Sequence, residues 1–228
     1  MGGQQVLDAT VPPPDSGAGV EDDDRQPTRI QAINREIILE AALEVFSVHG
    51  FRGSTVDQIA VRAGMSKPNL LYYFRRKQDI YRAVLERTLR DWLAPLAAID
   101  PAGDPVEELR RYITEKLRMA AEQPAASRLF ANEILAGAPV MGGFLETTLK
   151  DLVDEKAAII REWVGRGRLA PVDPHHLIFM IWATTQHYAD FDVQIRAVMG
   201  DQIDQPGFRG QAAQAVLTLV LNGLKLRP

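Results

Sequence analysis

A chain of 228 residues with 46 % hydrophobic content is long enough for one large core or two small ones. It has no cysteine, which excludes disulfides, thiolate metal sites and cysteine nucleophiles and fits a reducing compartment. Its formal net charge of −4 is unevenly spread: residues 1–28 hold six acidic side chains against Arg25, net −5, whereas residues 29–90 hold eleven basic against six acidic, net +5.

Residues 1–28 include VPPPDSGAG and EDDD with few large apolar side chains, the composition of a disordered acidic tail. No apolar run approaches membrane-spanning length, and the first thirty residues lack a signal-peptide core, so a cytoplasmic protein with no membrane partner is expected. From Ile30 to about Val48, apolar residues at Ile30, Ile33, Ile37, Ala41 and Val45 predict a broad-faced helix, stopped by Gly50.

The next stretch, residues 55–77, reads TVDQIAVRAGMSKPNLLYYFRRK. Thr55 and Gln58 have capping-box spacing, and Val56, Ile59 and Ala60 share a helical face. Gly64 can take positive φ, and Ser66 can cap a second helix whose first turn tolerates Pro68. A helix, a short turn and a second helix make a helix-turn-helix. Leu70 and Phe74 face inward, leaving Lys67, Pro68, Asn69, Leu71 and Tyr73 to point elsewhere, with Arg75, Arg76 and Lys77 following. In a major groove, Lys donates to guanine, Asn pairs bidentately with adenine and Leu meets a thymine methyl. Each of these residue types is ordinary on a surface helix; their combination, on the one basic part of an acidic chain, points to double-stranded DNA.

A long helix follows from Gln78, with Pro95 expected to kink or break it. Further helices are expected at about 105–122, 124–137, 143–166, 173–198 and 208–225, between Gly, Pro and Asp signals. There are no alternating strand segments, so the fold class is all-α. The expected domains are the tail (1–28), a helix-turn-helix DNA-binding domain (29–77) and a ligand-binding and dimerisation domain (78–228).

The segment AGMSKPNLLYYFRRKQDIYRAVL, with a larger helical C-terminal part, resembles the TetR family of bacterial repressors. That resemblance implies a homodimer whose reading heads bind a pseudo-palindromic operator and whose C-terminal domains take a small-molecule effector. By position, Lys67, Pro68, Asn69 and Leu71 fall where the family reads bases, and Thr55, Tyr72, Tyr73 and Lys77 where it contacts phosphate. Leu71 stands at a place commonly held by Tyr. Three C-terminal segments, ASRLFANEILAGAP, VDEKAAIIREWV and LAPVDPHHLIFMIWATTQHYADF, resemble a branch that controls pyrimidine utilisation and responds to uracil and thymine.

A pyrimidine base has donors and acceptors that all need partners when enclosed. Trp182, Gln186 and Asp190, each four residues apart, offer a ring face, an amide and a carboxylate on one side of a helix. Tyr112, Lys116, Ser127, Phe130 and Asn132 are candidates for further lining. The same helix can equally serve a dimer interface, where Trp, Tyr and Gln are common. The apolar runs at 177–183 and 215–224 exceed what one monomer face needs, which favours a homodimer.

His175, His176 and His187, with Asp173 and Asp190, have the residue types of a metal site. Adjacent His175 and His176 diverge by about 100° on a helix and follow a plain helix start at Asp173, so no metal and no cofactor is expected. No Gly-x-Ser-x-Gly, His-Glu-x-x-His or phosphate loop is present, so an enzyme has little support. A ligand-independent DNA-organising protein is the alternative. A C-terminal part larger than dimerisation requires argues against it.

Overall fold

The computed structural model describes residues 29–225; the expectation for the tail at 1–28 lies outside them. Eleven α-helical segments occur in order among the described residues, with no strand: α1 (Arg29–Gly53), α2 (Val56–Arg62), α3 (Lys67–Tyr73), α4 (Lys77–Ala97), α5 (Pro105–Glu122), α6 (Pro124–Leu135), α7 (Gly142–Phe144), α8 (Lys150–Gly165), α9 (Pro174–Asp190), α10 (Asp192–Met199) and α11 (Phe208–Gly223). A π-helical turn at Leu145–Leu149 joins α7 to α8, and a 3₁₀ turn at Gly200–Asp204 follows α10. The expected all-α class holds.

Local chemistry sets the first elements. Gly50 takes φ +65°, outside helical space, so α1 is dislocated at the expected stop but continues for three further residues to Gly53. Thr55 and Gln58 form the capping box: Thr55 Oγ1 accepts from the Gln58 amide at 3.2 Å, and Gln58 Oε1 accepts from the Thr55 amide at 2.8 Å. Gly64 turns the chain at φ +67°, and Ser66 caps α3. The inward stripes of α1 to α4, among them Ile38, Phe46, Ile59, Leu70 and Ile80, close into one core.

That core is not confined to the first four helices. Leu129 of α6 and Met141 belong to it, because α6 lies against α1. A second core joins the C-terminal part of α4 to α5, α8, α9 and α11 through Leu96, Tyr112, Ile113, Ile160, Trp163 and Ile181. The bound α6 is why the reading head and the C-terminal helices share more than the connecting α4.

Four expected elements differ. Pro95 lies within the last turn of α4, which runs on to Ala97; with only Leu96 and Ala97 after it, the bond forgone by its missing N–H interrupts little helix. The single helix expected over 173–198 is split at Phe191 (φ −119°, ψ 31°), without any Gly or Pro to announce it. The helix expected over 143–166 contains the π turn. The α6 helix ends at Leu135, two residues earlier than expected, where Gly137 and Ala138 both take positive φ.

Candidate DNA-reading face and effector site

The reading head presents Lys67, Pro68 and Asn69 at the start of α3, all exposed, with Tyr72 exposed further along and Leu71 half-buried. Lys67 Nζ lies 2.9 Å from Asp57 Oδ2 on α2, an exposed ion pair of the kind that contributes little to folding. The two tyrosines anchor the first turns of α1: Asn34 Nδ2 donates to the Tyr73 hydroxyl at 2.8 Å and Gln31 Nε2 to the Tyr72 hydroxyl at 3.1 Å. Thr55 Oγ1 is engaged in the α2 cap. Arg75 and Arg76 are exposed at the α3–α4 junction.

Lys77 is placed differently from the other expected phosphate contacts. Its ammonium donates to the carbonyls of Phe51, at 2.6 Å, and Ser54, at 2.7 Å, and sits 4.6 Å from the Phe51 ring centre. Two of its three N–H groups therefore close the end of α1 onto the start of α4, leaving one for any other partner.

On α9, Trp182, Gln186 and Asp190 are all half-buried. Trp182 Nε1 donates to the Tyr112 hydroxyl on α5 at 2.6 Å, and the Ser127 hydroxyl on α6 donates to Asp190 Oδ1. Burial pushes the Asp190 carboxyl up, opposed by Ser127 and by the nearby charges of Arg128, Lys116 and His187. The Gln186 amide has no hydrogen-bond partner among the described residues.

Beside them lies a buried pair that sequence reading recovered only in part. Lys116 is 4 % exposed, its Nζ 4.3 Å from the ring centre of Trp92 on α4, and it forms no ion pair among the described residues. Burial pushes its ammonium down to about 8, with Asp190 pulling the other way. The Trp92 indole N–H is buried without an acceptor among the described residues. An unmet buried donor costs about 1–3 kcal/mol, and the Trp92 N–H is one, beside an ammonium that also feels the charge of Asp190. Trp92 looked in the sequence like one apolar position of α4; nothing local marked its N–H as orphaned.

Two expected lining residues fall elsewhere. Phe130 packs against the core of the reading head and Asn132 is exposed. His175 pairs with Asp154 at 3.0 Å, and the His187 ring stacks on Phe191 with centres 5.1 Å apart. Among the described residues no three His, Cys, Asp or Glu side chains stand close enough to hold a metal, and no helix is long and apolar enough to cross a membrane.

A three-helix head exposing a capped reading helix, joined to a larger set of helices, is the architecture of a DNA-binding regulator. Residues 38–84 match the family described as bacterial regulatory proteins, tetR family, and residues 85–227 match the YcdC-like protein C-terminal region. The HTH-type transcriptional regulator RutR of Escherichia coli (strain K12) is 47 % identical over 200 residues, 88 % of this chain and 94 % of that protein. Among solved structures, the transcriptional regulator SCO4942 of Streptomyces coelicolor is similar with a TM-score of 0.67 and 29 % identity, covering 86 % of this chain and 99 % of that one. KstR2 of Mycobacterium tuberculosis, a ketosteroid transcriptional regulator, shares the fold at a TM-score of 0.66 and 22 % identity, over 85 % of this chain and 95 % of that one.

The chain belongs to the TetR family: it is a ligand-responsive, DNA-binding transcriptional repressor. Proteins of this family bind operator DNA and small-molecule effectors and act as dimers.

Proposed function

We propose that this repressor controls pyrimidine utilisation, releasing its operator when uracil or thymine occupies the site between α4, α5, α6 and α9. The observation that carries the reading is the orphaned Trp92 N–H next to the buried Lys116, opposite Asp190. A pyrimidine base has carbonyl oxygens for such donors and ring N–H groups for such a carboxylate, with the Gln186 amide able to serve either. Uracil has so few atoms, with a ceiling of about 1.5 kcal/mol for each, that it must satisfy nearly all its polar groups to bind well. The RutR likeness, which extends through the helices holding these residues, supports the same assignment.

On the DNA side, Lys67, Pro68, Asn69 and Leu71 are assigned to base reading in the major groove, and Thr55, Tyr72, Tyr73 and Lys77 to the phosphates. Residues 29–77 supply the reading head and 78–228 the effector and dimer contacts, with α6 shared between them. Exposed Phe179, Met180 and Leu219 on α9 and α11 support those helices as the dimer contact. Two heads one DNA turn apart, about 34–36 Å, require a pseudo-palindromic site.

The test is a mobility-shift assay on the DNA upstream of the protein's own reading frame, with uracil, thymine and a purine. Release by the pyrimidines alone, and its loss in Gln186→Ala with the dimer intact, is expected. Release by none would remove the pyrimidine assignment and leave the family function standing.

A further inference from the structure

A cavity of about 500 Å³ opens on a different side of α9 from the effector site, toward α5, α10 and α11. From α9 it takes Thr185, Tyr188 and Ala189, and not Trp182, Gln186 or Asp190. Its size falls within the range usual for small-ligand sites. Small residues make it concave: Ala120 and Ala121 on α5, and Gly210, Ala212 and Ala213 on α11. Tyr188 and Phe208, with ring centres 6.2 Å apart, supply an aromatic wall.

Charge at the rim is biased. Four arginines line the cavity against two aspartates, Asp192 and Asp204. Arg196 is committed to Asp204 by two bonds of 2.7 and 3.0 Å, and Arg118 to Glu115 and Glu122 of its own helix. The remaining two are less engaged. Arg128 reaches Asp192 only at 3.8 Å and donates weakly, at 3.3 Å, to the Ala189 carbonyl, while Arg209 forms no ion pair among the described residues. An apolar, partly aromatic pocket with Arg209 unpaired among the described residues and Arg128 only weakly held suits a carboxylate carried on an apolar body, since guanidinium binds carboxylate in a planar two-point contact.

We propose that this cavity is a second small-molecule site, separate from the pyrimidine site, for an organic monoanion with a ring-sized or short-chain apolar body. Arg209 and Arg128 hold the carboxylate, and Tyr188, Phe208 and Leu117 cover the body. Its neighbours tie it to the first site: Arg128 follows Ser127, and Ala189 precedes Asp190. Occupancy therefore bears on the effector site through α6 and α9.

The assignment does not depend on which effector the first site takes. It is tested by calorimetric titration of the full-length protein with benzoate and octanoate, against benzamide, octan-1-ol and benzylamine. Two variants accompany it: Arg209→Glu at an exposed position, and Gly210→Trp, whose added Cβ meets nothing within 4 Å. Saturable binding of at least one of the two anions, one per chain and preferred over the uncharged and cationic probes, is expected. Arg209→Glu should weaken it roughly tenfold or more, the worth of a charge-assisted hydrogen bond, and Gly210→Trp should abolish it while operator binding persists. Absence of saturable binding by either anion, equal binding of benzamide, or binding unchanged in Gly210→Trp overturns the proposal. So does dissociation of the dimer by Gly210→Trp, which would make the cavity a seat for the partner subunit.

Discussion

The carboxylate of Glu133, on α6, accepts a hydrogen bond of 3.1 Å from the hydroxyl of Tyr81, on α4. The other carboxylate oxygen accepts from the backbone amides of Val140, at 2.7 Å, and Met141, at 3.1 Å. Glu133 is 3 % exposed and Tyr81 4 % exposed, and Tyr81 packs edge-on against Phe46 in the reading-head core. Helix α6 is thus fixed to the head at one end and reaches Asp190 through Ser127 at the other.

Removing this contact costs stability, because a buried polar group stays behind unmet. Tyr81→Phe should lower the unfolding free energy by about 1 kcal/mol, and Glu133→Leu, which strands two amides and a hydroxyl, by about 3 kcal/mol or more. Urea denaturation measures both. Tyr81→Phe should also weaken the link between effector binding and DNA release without changing the residues that touch either ligand.

Lys77 separates two roles that sequence alone leaves merged. If its ammonium mainly serves the Phe51 and Ser54 carbonyls, Lys77→Met should destabilise the protein by about 1–3 kcal/mol, since two acceptors lose their donor. A purely phosphate-contacting lysine would instead leave stability unchanged and reduce the salt slope of DNA binding by about 1. Denaturation and salt-dependent DNA titration of the same variant distinguish them.

The exposed Asp57–Lys67 pair should contribute little to folding, within about 0.5 kcal/mol, yet matter for DNA. Asp57→Asn frees Lys67 and removes a negative charge from the reading face, so tighter operator binding at low salt is expected. Lys67→Ala should loosen it. Fluorescence anisotropy at two salt concentrations reads the difference.

Lys116 gives a pH signature. Its ammonium is held down to about 8 by burial, against an ordinary value of 10.5. Between those values the unfolded chain binds more protons than the folded one, so this group makes stability rise with pH from about 8 to about 10.5. Below about 8 the penalty of the buried charge is fully present, roughly 3 kcal/mol. Lys116→Met should therefore stabilise the protein near pH 7 and remove that rise. The wild-type-minus-variant difference in denaturation, followed from about pH 7 to about pH 10, isolates this group from the others that titrate. The same variant should lose its response to uracil.

The helix-turn-helix was legible because its determinants are short-range. Thr55 and Gln58 are three residues apart, Gly64 needs only its own φ, and the inward pair Leu70 and Phe74 lie one turn apart; each can be read in a window of a few residues. The all-α class followed from periodicity for the same reason. The α9 face carrying Trp182, Gln186 and Asp190 was legible in the same way, since they repeat every four residues.

What the chain order hid was set by contacts between distant residues. Trp92 is a plain apolar position until α5 brings Lys116 over its ring, and its N–H is orphaned only by the packing around it. Lys77 stands in a basic run, yet its partners lie 26 and 23 residues upstream. Glu133 reads as a surface acid of an amphipathic helix, and only the docking of α6 on α1 and α4 buries it beside Tyr81, 52 residues away. A side chain's type and local spacing depend on its neighbours in sequence, whereas its burial, charge state and unmet hydrogen bonds depend on whatever the folded chain lays against it.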